Sequence, residues 1–501
     1  MYLKELIKSL TLHSEIKLPV DFLVKGLSCD SRQTGADFVF VAVKGNKADG
    51  SEFIAEAVKK GARAVVAKSH VITHKRIPTP PIASGARHMS QENVVFIEVE
   101  DDRRALAQLA CAFYGNPSEK LKTVGVTGTN GKTTITYLIE AILKNCGEVP
   151  GVIGTVNHRF QDKVFPSLNT TPGPLELQSM LRDMLNSGVT YSVMEVSSHA
   201  LDQGRIALIN FSAGIFTNLT QDHLDYHKNL DEYFSAKSKL FCNLCDSAFS
   251  IINADDPYGV RLKKLSKGKV ITYGIDSDCD VKAMDLKMDL SSSGFLLQSK
   301  TWKGQIETKL IGRHNVYNIL AALAWAQAEK LDFNKARQAL ERFSYVPGRL
   351  ELIGSNQGFS VFVDYAHTED ALKNVLSAFK QIQHKRIIVV FGCGGERDRT
   401  KRPKMGNVVS QMADFAIITN DNPRSEEPQQ IIEDIKSGIV KDNFCVIPDR
   451  LEAIKKSLSL AKAGDIVLVA GKGHEDYQVI KNKITHFDDR EAVRECLQSM
   501  S

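Results

Sequence analysis

Apolar and polar positions fall into three stretches of different rhythm along the chain. At the N-terminus Leu3, Leu6, Ile7 and Leu10 recur every three or four residues, the spacing of one helix face. Short β-branched runs follow at residues 38–45 (FVFVAVKG), 62–68 (ARAVVAK) and 93–100 (NVVFIEVE). With helical stretches between them, they predict a small α/β layer ending near residue 118. Residues 74–93 break this pattern, with Pro78, Pro80 and Pro81 among basic and small polar residues, and predict a surface loop inside a 70–95 insertion.

The second stretch opens at residues 121–147 with a strand, a glycine loop and a helix, and runs to a helical pattern at 315–330. NPSEK (116–120) and VPGRLE (346–351) are turn-rich and mark its boundaries. The third repeats one theme: four apolar runs, each ending in a polar loop, at 359–370 (FSVFVDYAHTED), 386–398 (RIIVVFGCGGERD), 415–427 (FAIITNDNPRSEE) and 465–477 (DIVLVAGKGHEDY). Helical segments separate them, which predicts a parallel sheet covered on both faces. Ligands bind such sheets beyond the carboxyl ends of the strands, where this stretch concentrates its charged residues and glycines. The expected organisation is α/β in three domains: 1–118, 119–345 and 346–501.

Composition narrows the function classes. The 501 residues include 64 Lys plus Arg and 59 Asp plus Glu, a net charge of +5 without a dense basic block. No nucleic-acid partner is expected, though a local anion site is compatible. No apolar run approaches the ~18 residues of a membrane span, and the N-terminus has no secretory-leader pattern. The nine dispersed cysteines suit reduced thiols in a cytoplasm. Cys242 and Cys245 form a C-x-x-C with no second pair nearby, and are expected to be buried small apolar residues.

The sharpest chemical signal is GVTGTNGKTT at residues 125–134. Backbone N–H groups of such a turn wrap a phosphate, and the following helix N-terminus favours anions. Lys132 can reach the β- and γ-phosphates and Thr133 can hold Mg²⁺. The strict pattern wants glycine where Val126 stands, so the loop is a variant. Such a loop fits a motor, a GTPase, a kinase or an ATP-driven ligase. Glu195, at the end of one apolar run, and Asp222, His223, Asp225 and His227, after another, can complete metal coordination or bind substrate oxygens.

TGTNGKTT, NTTPGP, MEVSSHAL, TNLTQDHLDYH, GRHNVYNILAA, DYAHT and DNPR occur in this order, and the chain resembles the Mur ligase family of cytoplasmic peptidoglycan synthesis. The resemblance covers essentially the whole chain apart from the 70–95 insertion. It implies a small N-terminal UDP-binding α/β domain, a central P-loop ATPase-like parallel-sheet domain and a C-terminal Rossmann-like domain. It also implies a cytoplasmic, monomeric enzyme without a membrane partner. The activity implied is ATP-dependent amide formation on UDP-N-acetylmuramoyl-L-alanyl-D-glutamate, through an acyl phosphate on the D-glutamyl γ-carboxylate, with release of ADP and phosphate.

Site residues follow from the same resemblance. Gly128, Thr129, Asn130, Gly131, Lys132, Thr133 and Thr134 would hold the ATP phosphates. Asn253, His314, Asn315, Arg349 and Asp364 would meet the base and ribose. One Mg²⁺ would sit with Thr133 and Glu195, and a second near His223. Lys237 falls on the family's carbamylated lysine, with Lys239 as the register competitor. Lys132, Glu195, His223 and Lys237 form the implied catalytic set. Ser31, Asn46, Lys47, Ala48, Asn169, Thr170, Thr171, Ser197, Gln203 and Arg205 would bind the UDP-sugar peptide. Asn46 and Lys47 depart from the His-Gln that the family often carries there.

Asp421, Asn422, Pro423 and Arg424 (DNPR), with Arg397, Gly471 and Glu475, would choose the amino acid. The arginine resembles the version taking meso-diaminopimelate, whose far carboxylate a guanidinium can bind in a bidentate way. The alternatives are L-lysine addition, a folylpolyglutamate synthetase-like ligase, and a nucleotide-binding switch that hydrolyses ATP without an acceptor.

Overall fold

A computed structural model describes residues 1–12, 18–45, 48–68, 94–354 and 357–500. Asn46, Lys47 and the expected 74–93 loop lie outside the described residues. The chain forms two compact units: Met1–Thr123 with Thr171–Ser192 and Ser197–Phe211, and Val124–Thr170 with Val193–Val196 and Ser212–Ser501.

In the first unit, strands Gly26–Ser28, Phe38–Val41, Ala62–Lys68 and Val95–Val99 pair in sequence order, all parallel. Side chains alternate between the two faces of the sheet. Val39, Val41, Ala64, Val66 and Ile97 join a core with Leu3, Leu6, Leu106 and Leu109. Phe40, Ala42, Val65 and Ala67 join another with Ile54 and Ala57. The N-terminal pattern forms the helical turns Leu3–Leu6 and Ile7–Ser9. The Asp102–Tyr114 helix starts where Asp101 accepts from the Arg104 N–H and stops at Gly115, whose φ of 74° is left-handed.

Among the described residues the second unit holds two large sheets and a two-stranded antiparallel pair, Tyr477–Ile480 with Lys483–His486. In the larger, Lys122–Thr127 lies between Tyr191–Glu195 and Phe211–Phe216. From Phe211–Phe216 the sheet runs parallel through Phe249–Asn253 and Lys269–Gly274 to Val281–Met288. This is the parallel-sheet domain that the resemblance implies, extended at both edges by antiparallel strands. Ser293–Ser299 and Lys303–Thr308 close one edge, and Pro150–Ile153, Asn157–Phe160 and Lys163–Pro166 the other. Helices Lys132–Cys146, Arg313–Ala328 and Phe333–Arg342 pack together, with Trp325 fully buried.

The smaller sheet is ordered Glu351–Leu352, Ser360–Asp364, Ile466–Ala470, Ile387–Phe391, Phe415–Ile418, Phe444–Val446, with only the first strand antiparallel. Its four long strands are the four apolar runs of the sequence. Val361, Val363, Ile388, Val390, Val467 and Val469 face one core, and Phe362, Val389, Phe391, Ile418, Leu468 and Ala470 the other. Burial on both faces explains why these strands read as continuous apolar runs.

Arg450 ties two of their polar ends together. It is fully buried, pairs with the equally buried Asp489 at 2.7 Å, and donates to Ala470 O (2.9 Å) and Asn420 O (3.4 Å). Asp489→Ala leaves this guanidinium buried without its bidentate carboxylate, and is expected to cost about 3–5 kcal/mol. A denaturant midpoint equal to that of the wild type would contradict the role.

The C-x-x-C departs from expectation. Cys245 is exposed and Cys242 partly so, because the pair lies where the Leu230–Cys242 helix gives way to a surface turn, with Cys245 Sγ 3.1 Å from Ser247 Oγ. Among the described residues no helix is long and apolar enough to cross a membrane.

Candidate active site

The buried Lys122–Thr127 strand delivers the chain into Gly128–Gly131, and the Lys132–Cys146 helix starts immediately after. Gly128 and Gly131 have φ of 148° and 90°, a region open to glycine at little cost. A Cβ on Gly128 would lie 1.8 Å from Thr217 Oγ1, and one on Gly131 2.3 Å from Asn318 Oδ1. The loop is shaped from outside. Thr129 N donates to Asn218 O (2.8 Å), Asn130 N to Asn218 Oδ1 (3.0 Å), and Thr217 Oγ1 to Asn130 O (2.6 Å). Lys132 Nζ donates to Gly128 O (3.0 Å) and Thr129 O (2.8 Å). Burial pulls its pKa down, against the charges of Glu195 and Asp222. Thr134 is buried in the first turn of the helix.

Glu195 ends its strand almost wholly buried. Thr133 Oγ1 lies 3.0 Å from both of its carboxylate oxygens, while Thr155 donates its N–H (2.8 Å) to one and its hydroxyl (2.9 Å) to the other. Arg349 Nη2 donates to Thr133 Oγ1 at 3.1 Å. One hydroxyl is thus shared by a carboxylate and a guanidinium, next to the phosphate loop. The oxygens of Thr133 and Glu195 are hard donors of the kind Mg²⁺ takes. Sequence reasoning missed Gly154 and Thr155. A Cβ on Gly154 would sit 2.5 Å from Glu195 Oε1. Their signal is a small-residue pair just after an apolar strand.

His223 has φ of 54° and lies 3.5 Å from Asp222 Oδ2 through Nε2. Burial pushes the Asp222 carboxyl up, but His223, His367, Lys401 and Lys132 together hold it below the usual carboxylate range. Lys237 lies on the buried side of the Leu230–Cys242 helix, whereas Lys239 is partly exposed. Lys237 Nζ donates to Gly128 O at 2.7 Å and sits 4.4 Å from the Tyr233 ring. Lys132 and Lys237 therefore converge on one carbonyl oxygen. Burial, and then the charge of Lys132, pull Lys237 well below the usual lysine range.

The residues expected to flank the nucleotide connect to this loop. Asn253 Nδ2 donates to Thr217 O (2.8 Å), and Asn315 Oδ1 accepts from Asn318, the residue against Gly131 (3.1 Å). Burial lowers His314 to about 4, so it is neutral at pH 7. Asp364 accepts the N–H groups of Leu350 (2.5 Å) and Ala366 (2.7 Å), and so fixes the turn that carries Arg349. Arg349 in turn stacks 4.4 Å over the Tyr365 ring.

The expected amino-acid residues gather at the carboxyl ends of the smaller sheet. Asn422 Nδ2 donates to Glu475 (2.8 Å), while Asn422 Oδ1 accepts from Lys472 (3.2 Å) and Val479 N (2.9 Å). Burial, and then the charge of Asp421, push Glu475 up. Asp421 is itself buried, and a Cβ on Gly471, whose φ is 117°, would lie 2.6 Å from its Oδ2. Pro423 is buried beside Gly395, where a Cβ would meet Pro423 O at 1.9 Å. Arg424 sits at φ 55°, its backbone bonded to Val479 and Lys481 and its Nη1 to Gly395 O (2.7 Å). Arg397 is exposed on the Gly394–Gly395 turn. Lys472, fully buried between Asn422 and Glu475, was not singled out from sequence.

The first unit contains a cavity of about 760 Å³, a size typical of small-molecule sites. Ser31, Ala48, Gln203 and Arg205 line it, together with Glu56 and Arg103, which sequence reasoning missed. Ser31 Oγ donates to Glu56 (2.8 Å). Arg205 donates to Gln203 Oε1 (2.9 Å) and to Thr171 O (2.9 Å), while Thr171 Oγ1 and Ser197 N are 3.0 Å apart. Asn169 and Thr170 belong to the second unit, where Thr170 Oγ1 lies 3.0 Å from Thr155 Oγ1.

Three family models match in order: Mur ligase family, catalytic domain, at residues 23–114; Mur ligase middle domain at 126–326; and Mur ligase, glutamate ligase domain, at 348–473. The UDP-N-acetylmuramoyl-L-alanyl-D-glutamate--2,6-diaminopimelate ligase of Clostridium tetani is 41% identical, covering 100% of both chains. The enzyme of that name from Caldanaerobacter subterraneus is 44% identical over 96% of each. A solved structure of a ligase with this name is 31% identical, with a TM-score of 0.68 over 99% of each chain. Ordered motifs, three consecutive domain models and full-length similarity agree, and the chain belongs to the Mur ligase family.

Proposed function

We propose that this protein joins meso-2,6-diaminopimelate to the D-glutamyl γ-carboxyl group of UDP-N-acetylmuramoyl-L-alanyl-D-glutamate, with ATP cleaved to ADP and phosphate. The observation that carries the reading is the Thr133 hydroxyl, shared by Glu195 and Arg349 beside the Gly128–Gly131 cradle. The names of the full-length relatives support the substrates. The three domains would span 1–118, 119–345 and 346–501. An activated nucleotide sugar as acceptor supports a cytoplasmic reaction, and the same reading takes the chain as a monomer.

A carboxylate is a poor electrophile at neutral pH, so it needs activation. Its oxygen attacks the γ-phosphorus, the bond to ADP breaks, and an acyl phosphate forms. The amine then attacks the carbonyl carbon and inorganic phosphate leaves. Transfer between two anions needs fixed positive charge and aligned donors, the role assigned to the loop N–H groups, Lys132 and Arg349. Thr133 and Glu195 would hold one Mg²⁺, and His223 with Lys237 a second. Bound there, Mg²⁺ supplies charge neutralisation at the phosphate oxygens. An ammonium does not suit a cation site, but a carbamate formed on Lys237 would supply oxygens to it. Arg205 and Gln203, in the cavity of the first unit, would anchor an acidic group of the acceptor.

Arg424, Arg397, Asn422 and Glu475 would select the amino acid. A guanidinium at Arg424 favours a far carboxylate over the far ammonium of lysine. Arg424→Ala is expected to raise KM for diaminopimelate about a hundredfold while leaving KM for ATP near its wild-type value, from the loss of one charge-assisted pair. An unchanged KM for diaminopimelate would reject the selector role. The direct test of the reaction offers diaminopimelate and lysine side by side with the acceptor and ATP. The reading predicts the diaminopimelate product; lysine as the preferred substrate would overturn it.

A further inference from the structure

We infer that Asp370 is a positioning residue through which the C-terminal third holds the phosphate loop in its anion-binding shape. The inference rests on reading Gly128–Thr134 as the nucleotide cradle. Asp370 is the second residue of the Glu369–Lys380 helix, just after DYAHT. One carboxylate oxygen, Oδ2, accepts from Asn130 Nδ2 (2.8 Å), Thr220 Oγ1 (3.2 Å) and Asn374 Nδ2 (3.1 Å). The first two partners belong to the segments that build the cradle. Asn130 lies between Gly128 and Lys132, and Thr220 N donates back to Thr129 Oγ1 at 3.0 Å.

The backbone of Asn130 is already fixed within the central sheet, by Asn218 Oδ1 on its N–H and by Thr217 Oγ1 on its carbonyl. Its side chain reaches into the C-terminal third instead. Asp370 also lies on the same strand-to-helix connection as Tyr365, which carries Arg349 on its ring and approaches Glu475 at 3.5 Å. Segment 364–370 thus touches the nucleotide side through Arg349 and Asp370, and the amino-acid side through Tyr365. A shift of the C-terminal third relative to the central sheet would release Asn130 and Thr220 together. The side chains of Asn130 and Thr220 are therefore fully held only with that third in place, and ordering a binding loop beforehand raises affinity.

A carboxylate in the first helical turn also stabilises its own helix, so the test separates the two roles. Binding of a non-hydrolysable ATP analogue with Mg²⁺ is measured by calorimetry on the full chain for Asp370→Ala, Asn130→Ala and the double variant. Each single change is expected to weaken binding about tenfold, the scale of one charge-assisted hydrogen bond. The double variant should be no weaker than Asp370→Ala, because that change already removes the link to Asn130. KM for the acceptor and for the amino acid should stay near wild type. Multiplying effects, or a silent Asn130→Ala, would reduce Asp370 to a helix-terminal charge and overturn the proposal. Asn130→Ala leaves the helix untouched, so it still reports the link if Asp370→Ala folds poorly. Lys132→Ala is the control: if it too leaves nucleotide binding unchanged, the cradle reading itself has failed.

Discussion

Lys132→Ala is expected to lower acceptor-dependent phosphate release by about a thousandfold or more, with the unfolding midpoint little changed. The side chain fills no core. Its ammonium lies against Gly128 O and Thr129 O, at the mouth of the helix that opens the cradle. Buried charge acts in a low dielectric, where it is worth far more than in water. Burial also lowers the pKa of this lysine, and Glu195 and Asp222 oppose that shift. A phosphoryl group arriving there would bring further negative charge and favour the ammonium. The assay compares phosphate release with and without acceptor and amino acid. Retained activity in the variant would remove the cradle assignment. Equal release with and without acceptor in the wild type would instead favour an ATP-hydrolysing switch.

Lys237→Ala is expected to lose activity about a hundredfold or more, and added bicarbonate should not restore it. Lys132 and Lys237 converge on the Gly128 carbonyl oxygen, where two positive charges would repel each other, and the charge of Asp222 offsets this only in part. Burial, and then the charge of Lys132, hold Lys237 well below the usual lysine range, a shift toward the neutral amine. A free amine is the form that adds CO₂, giving a carbamate and a proton. The wild-type enzyme stripped of CO₂ should therefore lose activity and regain it with bicarbonate. Full activity in the alanine variant, or indifference of the wild type to CO₂, would assign Lys237 to packing alone.

Much of this was legible from local pattern. GTNGKTT between an apolar strand and an amphipathic helix specifies its own geometry, and Glu195 follows a run too apolar to end anywhere but at a strand terminus. The four C-terminal strands were readable because burial on both faces leaves unbroken Val/Ile runs. Features that depend on distant pairing were not. Nothing near Lys237 in sequence tells that its helix face is buried, or that Gly128 O waits at its tip. Thr155, Asn218 and Asn318 look like ordinary polar residues until the fold brings them to Glu195 and the loop. The antiparallel edges of the larger sheet escaped for a related reason. Edge strands are half exposed, and short alternating runs such as residues 303–308 compete with loops on equal terms.

The most direct test of the central claim follows oxygen. With ¹⁸O in the γ-carboxylate of the D-glutamyl acceptor, turnover through an acyl phosphate moves one labelled oxygen into the inorganic phosphate, because the bond broken last is between carbonyl carbon and that oxygen. The account predicts singly labelled phosphate, formed in step with the amide product. Phosphate free of label would contradict it.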